Sequence, residues 1–239
     1  MKVHELDGGI IYIEDAFPLH KEFIEAIEAT SNDIIPDWSD WMDGKPIDGV
    51  WTPTEQRGYV KQVDWDYTFN LSNGYWPRQT IQPSDNPEHA AAYDILKMID
   101  EPYKQALAVW CEKTGTKELD WITKNYTIKK YKTNQAIARH RDRDHDFDTN
   151  TFDWTALIYL NDRYRGGSIT FDTVGVTVSP SAGSILFFPS DMYHTAEEVS
   201  AGTKYFIFLY IQSEYGFSHS LYEQFGNLVS GIKRLREES

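Results

Sequence analysis

From residue 121 to residue 211 apolar side chains recur at every second position in short runs, and this period constrains the fold more than any other feature. A period of two puts alternate side chains on opposite faces of an extended strand. The runs fall at 126–131, 136–142, 154–160, 168–172, 174–178, 184–188 and 205–211, with turn residues between them. Seven or eight short strands so spaced predict a sandwich, a barrel or a jelly roll. Arg165-Gly166-Gly167 and Pro180-Ser181-Ala182-Gly183 read as turns, because glycine adopts positive φ without the clash a Cβ would bring.

The first half of the chain has a different period. I-I-Y-I-E-D-A-F (10–17) reads as a strand, and Pro18 opens an apolar-periodic helix running to about Ala29. Residues 36–76 are rich in Pro, Gly and Asp, and hold Trp38, Trp41, Trp51, Trp65 and Trp76. Their weak periodicity predicts loops, whose aromatics either pin them to the core or wall a binding cleft. Asn86 and Pro87 begin a second helix with an apolar stripe through Ile95, Met98 and Ile99. Pro102 should kink or break it, and a further helical piece runs to about Lys113 before Gly115. An amphipathic helix over 218–236 closes the chain. With no repeat and no clear linker, a single domain is expected over 1–239: a strand, aromatic loops and supporting helices over 1–120, a β core over 121–212, and a C-terminal helix over 213–239.

Composition narrows the functional classes. Hydrophobic residues make up 41% and aromatics 15%, so the chain can build a core. A net charge of −14 repels phosphate backbones, which argues against a nucleic-acid partner. The single cysteine, Cys111, allows no internal disulfide; it reads as a packed core thiol, and a reducing compartment fits. The N-terminus lacks the apolar run of a signal peptide, and no stretch approaches the ~20 apolar residues of a membrane span. A cytoplasmic protein with no membrane partner is expected.

Residues 138–146 read A-R-H-R-D-R-D-H-D, which by themselves describe a solvated charged loop as well as a metal site. On a strand, His140 and Asp142 share a face about 7 Å apart, while Arg139 and Arg141 face away. An iron site of the non-haem type needs two histidines and one carboxylate on one face of an octahedron. The third ligand must come from a distant strand end, and His194 follows the apolar strand I-L-F-F. Lys204 then opens the strand Y-F-I-F-L-Y-I. It either snorkels or points inward toward an anionic partner, for which a substrate carboxylate would serve.

H-x-D, a distal His, and Lys ten residues beyond it resemble the iron(II)- and 2-oxoglutarate-dependent dioxygenases, in particular the prolyl 4-hydroxylase-like branch. Tyr131, nine residues before His140, matches a tyrosine common in that branch, and T-A-L-I-Y-L-N-D (155–162), G-G-S-I-T-F (166–171), V-S-P-S-A-G (178–183) and L-F-F-P (186–189) match in order. The resemblance covers 126–212 and implies a mainly β fold with supporting helices, a double-stranded β-helix or jelly roll. It implies iron(II) held by His140, Asp142 and His194 as the catalytic centre. It also implies 2-oxoglutarate held through Lys204, with Tyr131, Tyr159 and Thr170 as further contacts. Dioxygen would be the oxidant, with ascorbate as an optional addition, and succinate and carbon dioxide would be products.

The carboxylate of Asp142 favours hydroxylation over halogenation, since related halogenases lack it. The implied substrate is a proline within a peptide or protein, and the acidic stretch 143–153 suggests a neutral-to-basic one. Other members of the superfamily act on free amino acids or on nucleic acid; the latter would show arginines after the distal histidine, and none occurs between His194 and Ile232. A cupin-like metal-binding module is a further alternative, against which Lys204 and Tyr131 together argue. Arg141 within H-x-D, Phe152 where many members carry arginine, and the stretch 143–153 depart from the family pattern and bear on the substrate.

Overall fold

The computed structural model describes residues 1–30, 38–47, 50–62, 69–70, 94–95, 97–115, 121–143 and 153–213. The expected start of the second helix at Asn86 and Pro87, the C-terminal helix over 218–236, and most of the acidic stretch lie outside these residues.

Strands β1 (Lys2–Leu6) and β2 (Ile10–Glu14) form a hairpin, followed by helix α1 (His20–Ala29). Strands β3 (Ser39–Ile47) and β4 (Val50–Gln62) pair antiparallel, then come the short β5 (Phe69–Asn70) and helix α2 (Asp100–Thr114). The remaining strands are β6 (Trp121–Lys132), β7 (Ile137–His140), β8 (Trp154–Tyr159), β9 (Arg165–Gly166), β10 (Ile169–Phe171), β11 (Val176–Val178), β12 (Ile185–Pro189), β13 (His194–Ala196), β14 (Val199–Ala201) and β15 (Thr203–Ser213). The major sheet runs β1-β2-β12-β8-β15-β6-β4-β3, with β5 also on β6, and the minor sheet runs β11-β10-β13-β7. From β6 onward the chain passes back and forth between them: β6, β8, β12 and β15 are major, while β7, β10, β11 and β13 are minor. That alternation is a jelly roll, as the period-two runs and the resemblance led one to expect.

Strand alternation divides the core in two. Ile158 on β8, Leu160 just after it, and Ile207, Leu209 and Ile211 on β15 face the helices, where they pack with Phe23 and Ile27 of α1 and Tyr103, Leu107 and Trp110 of α2. The opposite faces of the same strands supply Leu157, Tyr159, Phe206 and Phe208, which meet Phe171, Val178 and Phe188 between the sheets. The helices therefore brace the outer face of the major sheet and leave its inner face to the site.

Two expectations change. The segment 36–76 carries a long hairpin, β3 and β4, where loops were expected; its register with β6 (Tyr59 opposite Lys130, Val60 opposite Lys129) extends the major sheet. Backbone pairing with an existing sheet edge needs no period-two apolar pattern, so composition hid it. The break between helical pieces that was expected at Pro102 falls slightly earlier: residues 94, 95 and 97 are helical, 98–99 form a turn, and α2 starts at Asp100, which places Pro102 in its first turn, where its missing N–H costs nothing. Gly115 ends α2 in the left-handed region (φ 70°), donating its N–H to the Cys111 carbonyl, and Cys111 is a buried free thiol. No helix among the described residues is long and apolar enough to cross a membrane.

The turn ending at Gly183 ties the N-terminal segment to the jelly roll. Its carbonyl accepts the N–H groups of Ala16 (2.9 Å) and Phe17 (2.7 Å), and its own N–H donates to the Tyr159 carbonyl (2.7 Å). With φ at +73°, a Cβ there would lie 2.5 Å from the Phe17 carbonyl oxygen. Gly183→Ala is expected to cost about 2 kcal/mol in stability, read as a lower midpoint of urea unfolding.

Candidate active site

Strands β7 and β13 are neighbours in the minor sheet, and His140 stands directly opposite His194. Their ring centroids are 4.3 Å apart at 53°. Asp142 completes the group from beyond the strand. The strand expected over 136–142 stops at His140, and the N–H of Arg143 donates to the Ser190 carbonyl (2.9 Å), carrying the chain across to the end of β12. The bend, and not face alternation, brings Asp142 round. The same bend corrects the expectation for Arg141, which lines the cavity; Arg139, still on the strand, pairs outward with Asp172 and lies 3.8 Å from the Tyr193 ring centroid.

Oδ1 of Asp142 lies 3.6 Å from Nε2 of His140 and 3.8 Å from Nε2 of His194. One ligand atom from each of the three residues falls within 4.8 Å of the others. The opposite ring nitrogens are tied down: Nδ1 of His140 donates to the Ala138 carbonyl (2.8 Å) and Nδ1 of His194 to the Met192 carbonyl (3.0 Å). Each bond fixes the tautomer that leaves a lone pair on Nε2, aimed at the common centre. Burial lowers the His194 imidazole below its ordinary value, with Asp142 pulling it partly back, so it is neutral near pH 7 as a ligand must be. Burial alone would raise the Asp142 carboxyl; the imidazoles and the Thr155 hydroxyl outweigh it and hold the group below the usual carboxylate range. Two imidazole nitrogens and one carboxylate oxygen are the donor set of non-haem iron(II), and these residues fit that ion.

Thr155 was not foreseen. Its hydroxyl donates to Oδ2 of Asp142 (2.7 Å) and sits 3.1 Å from the Ser190 hydroxyl, leaving Oδ1 for the centre. Both Thr155 and Ser190 are fully buried. Partners of this kind orient a metal's ligands. Thr155→Val keeps the shape and removes the bond, and is expected to weaken iron(II) affinity about tenfold in a direct metal titration.

The triad opens into a cavity of about 300 Å³ between the sheets, walled by Tyr131, Leu157, Tyr159, Phe188, Phe206 and Phe208. Lys204 is in the same cavity and does not snorkel, being 3% exposed. It donates to the Gly167 carbonyl and lies 4.9 Å from the Tyr159 ring centroid, and no carboxylate among the described residues pairs with it. Burial pushes its ammonium down to about 7. Gly167 can hold its carbonyl there because φ is +66°; a Cβ would press to 2.9 Å on the Tyr164 ring. The hydroxyls of Tyr159 and Tyr164 are buried without a hydrogen-bond partner among the described residues. Burial raises the phenols of Tyr131 and Tyr159 well above their ordinary value, so both remain O–H donors. A buried cation beside orphaned donors fits a small dicarboxylate such as 2-oxoglutarate.

Of the anticipated contacts, Tyr131, Tyr159 and Lys204 join the triad in one cavity and Thr170 does not. On β10, Ile169 and Phe171 take the inner face, so Thr170 points outward and its hydroxyl meets that of Thr177 at 3.2 Å. Besides Thr155, two cavity-lining cations escaped notice. Lys129, two residues before Tyr131, could have been found by strand alternation; Arg57 lies on a strand whose pattern gave no signal.

A family model described as the 2OG-Fe(II) oxygenase superfamily matches residues 126–212. The fold is similar to that of an oxidoreductase of the 2OG-Fe(II) oxygenase family from Burkholderia pseudomallei, with a TM-score of 0.56 at 14% identity over 86% of each chain. It is also similar to a prolyl hydroxylase from Trichoplax adhaerens, solved in complex with a hypoxia inducible factor oxygen degradation domain peptide fragment. There the TM-score is 0.55 at 14% identity, over 90% of this chain and 88% of that one. At such identities the likeness shows the fold alone. No curated protein matches this chain significantly in sequence.

Proposed function

We propose that this chain is an iron(II)- and 2-oxoglutarate-dependent dioxygenase that hydroxylates prolyl residues in a peptide or protein, with iron(II) held by His140, Asp142 and His194; the match of residues 126–212 to the 2OG-Fe(II) oxygenase superfamily model supports the reading. The observation that carries the reading is the convergence of two Nε2 atoms and Oδ1 of Asp142 in one cavity with a buried Lys204 that has no acid partner among the described residues. When bound, iron(II) would couple oxidative decarboxylation of 2-oxoglutarate by dioxygen to hydroxylation of a C–H bond, giving succinate and carbon dioxide.

The chain's own residues do the rest. Lys204 would receive the distal carboxylate of 2-oxoglutarate, with the Tyr159 hydroxyl as a second donor. Thr155 holds one oxygen of Asp142, which would leave the other for a metal at the triad. Phe188, Phe206 and Phe208 line the cavity and would limit water at the reacting centre. The prolyl part draws support from the fold shared with the Trichoplax prolyl hydroxylase and from the family resemblance of 126–212.

The test is succinate formation from 2-oxoglutarate with iron(II) and ascorbate against a panel of prolyl peptides, with product mass read in parallel. The expected result is succinate released in step with a +16 Da peptide. A +16 Da product on free proline or another small molecule, with none on any peptide, would overturn the peptide reading and leave the oxygenase one standing.

A further inference from the structure

The strand that carries His140 is irregular just before it. Between the rungs His194–His140 and Ala196–Ile137, β13 has one residue, Thr195, whereas β7 has two, Ala138 and Arg139. That is a β-bulge, and bulges beside active sites re-aim side chains. Ile137 and His140 both line the cavity, although residues three apart on an unbroken strand face opposite ways. Ala138 and Arg139 are both left on the exposed side. The bulge also disrupts the ladder next to its last rung, since β7 ends at His140 and β13 begins at His194. Backbone pairing is therefore weakest where His140 has to be held.

Side chains on the outer face supply a hold. Nε of Arg139 donates to Oδ2 of Asp172 (2.5 Å), and the guanidinium carbon lies 3.8 Å from the Tyr193 ring centroid. Asp172 directly follows β10 and Tyr193 directly precedes β13, so one guanidinium reaches from β7 over β13 to β10, the order of these strands in the minor sheet. On the inner face the same three strands carry His140, His194 and Phe171. The histidine centroids are 4.3 Å apart, and that of Phe171 is 5.8 Å from that of His194. The row Arg139–Tyr193–Asp172 backs the row His140–His194–Phe171 strand for strand.

We propose that Arg139 and Asp172, closed over Tyr193, are positioning residues that pin the bulge of β7 and set His140 opposite His194 before a metal arrives. This rests on the reading of His140, Asp142 and His194 as a metal site. Neither residue touches the metal; their effect passes through the backbone of β7. Charge alone predicts something different. A cation near the site opposes a divalent metal and an anion favours it, so a purely electrostatic effect would make Arg139→Met bind metal more tightly and Asp172→Asn less tightly. Positioning makes both bind it less tightly.

The test is titration of the cosubstrate-free protein with manganese(II), read by calorimetry and by paramagnetic resonance, in the wild type, Arg139→Met, Asp172→Asn and the double variant. Thermal unfolding of the metal-free proteins is followed in parallel. An exposed ion pair and a cation on an aromatic face each contribute little, so each single change is expected to weaken binding about three- to tenfold. The double variant should lose no more than either single one, because the two changes break one contact. Both groups are half exposed, so the advantage of the wild type over the double variant should shrink in high salt. Affinity changes of opposite sign, losses that simply add in the double variant, or a loss of stability with manganese(II) affinity unchanged would overturn the proposal. In the last case the metal reading stands, because the wild type still binds the ion. A wild type that binds no manganese(II) would overturn the metal reading and this proposal with it.

Discussion

His194→Ala is expected to abolish succinate formation and to remove tight binding of iron(II), and His145→Ala is expected to leave metal binding nearly intact. Losing the hydrogen-bond partner of a metal ligand costs roughly 10- to 100-fold in affinity or activity, so losing the ligand itself should exceed that range. Position gives His194 this weight. It is 3% exposed, its Nδ1 is fixed by the Met192 carbonyl, and its ring packs edge-on to Phe188 at 4.8 Å between centroids. Those contacts also mean that alanine leaves a hole, and a stability loss of about 1–3 kcal/mol is expected alongside. Metal titration of the folded variant, monitored by manganese(II) paramagnetism, separates the two effects. A destabilised variant that still bound one manganese(II) tightly would show that His194 only packs. A protein that needed His145 and tolerated loss of His140 would place the ligand pair one register further along the charged stretch.

How much of this could be read from the sequence depended on what held each element in place. The major-sheet strands of the jelly roll were legible as short apolar runs because both their faces are buried, as in β8, where Leu157 and Tyr159 pack between the sheets and Ala156 and Ile158 pack toward the helices. Strands β3 and β4 were not legible, because they join the sheet by backbone pairing and their residues are rich in Pro, Gly and Asp. The candidate ligand residues could be picked out by spacing and chemical type, but the reason Asp142 comes close to the two histidines could not. Alternation predicted a shared strand face, whereas the strand ends at His140 and a bond from Arg143 to Ser190 turns the chain. Thr170 failed for the opposite reason, since its strand does alternate and the phase put Ile169 inside. Long-range partners such as Thr155 to Asp142 and Arg57 to the cavity depend on which strands become neighbours, which no local pattern records.

Lys204→Ala is expected to raise the concentration of 2-oxoglutarate needed for half-maximal turnover by roughly 10- to 150-fold, with iron affinity little changed. A charge-assisted bond in a desolvated pocket contributes ~1.5–3 kcal/mol, and each 1.4 kcal/mol is a factor of ten. Burial has pushed this ammonium down to about 7 from the 10.5 of a free lysine, so between those values the unfolded chain holds a proton that the folded one has released. Stability of the cosubstrate-free protein should therefore rise as pH increases through that window, and the burden on the fold is full below pH 7. Binding of a carboxylate restores the proton. Affinity for 2-oxoglutarate should then fall as pH rises above 7, and binding should take up a fraction of a proton at pH 8. Calorimetry in two buffers of different ionisation enthalpy reads that uptake directly. Lys204→Met gives the sharpest contrast: removal of a buried charge should raise the melting temperature of the cosubstrate-free protein while 2-oxoglutarate affinity collapses and proton uptake disappears. An unchanged affinity in Lys204→Ala, or binding without proton uptake at pH 8, would show that the dicarboxylate is held elsewhere in the cavity.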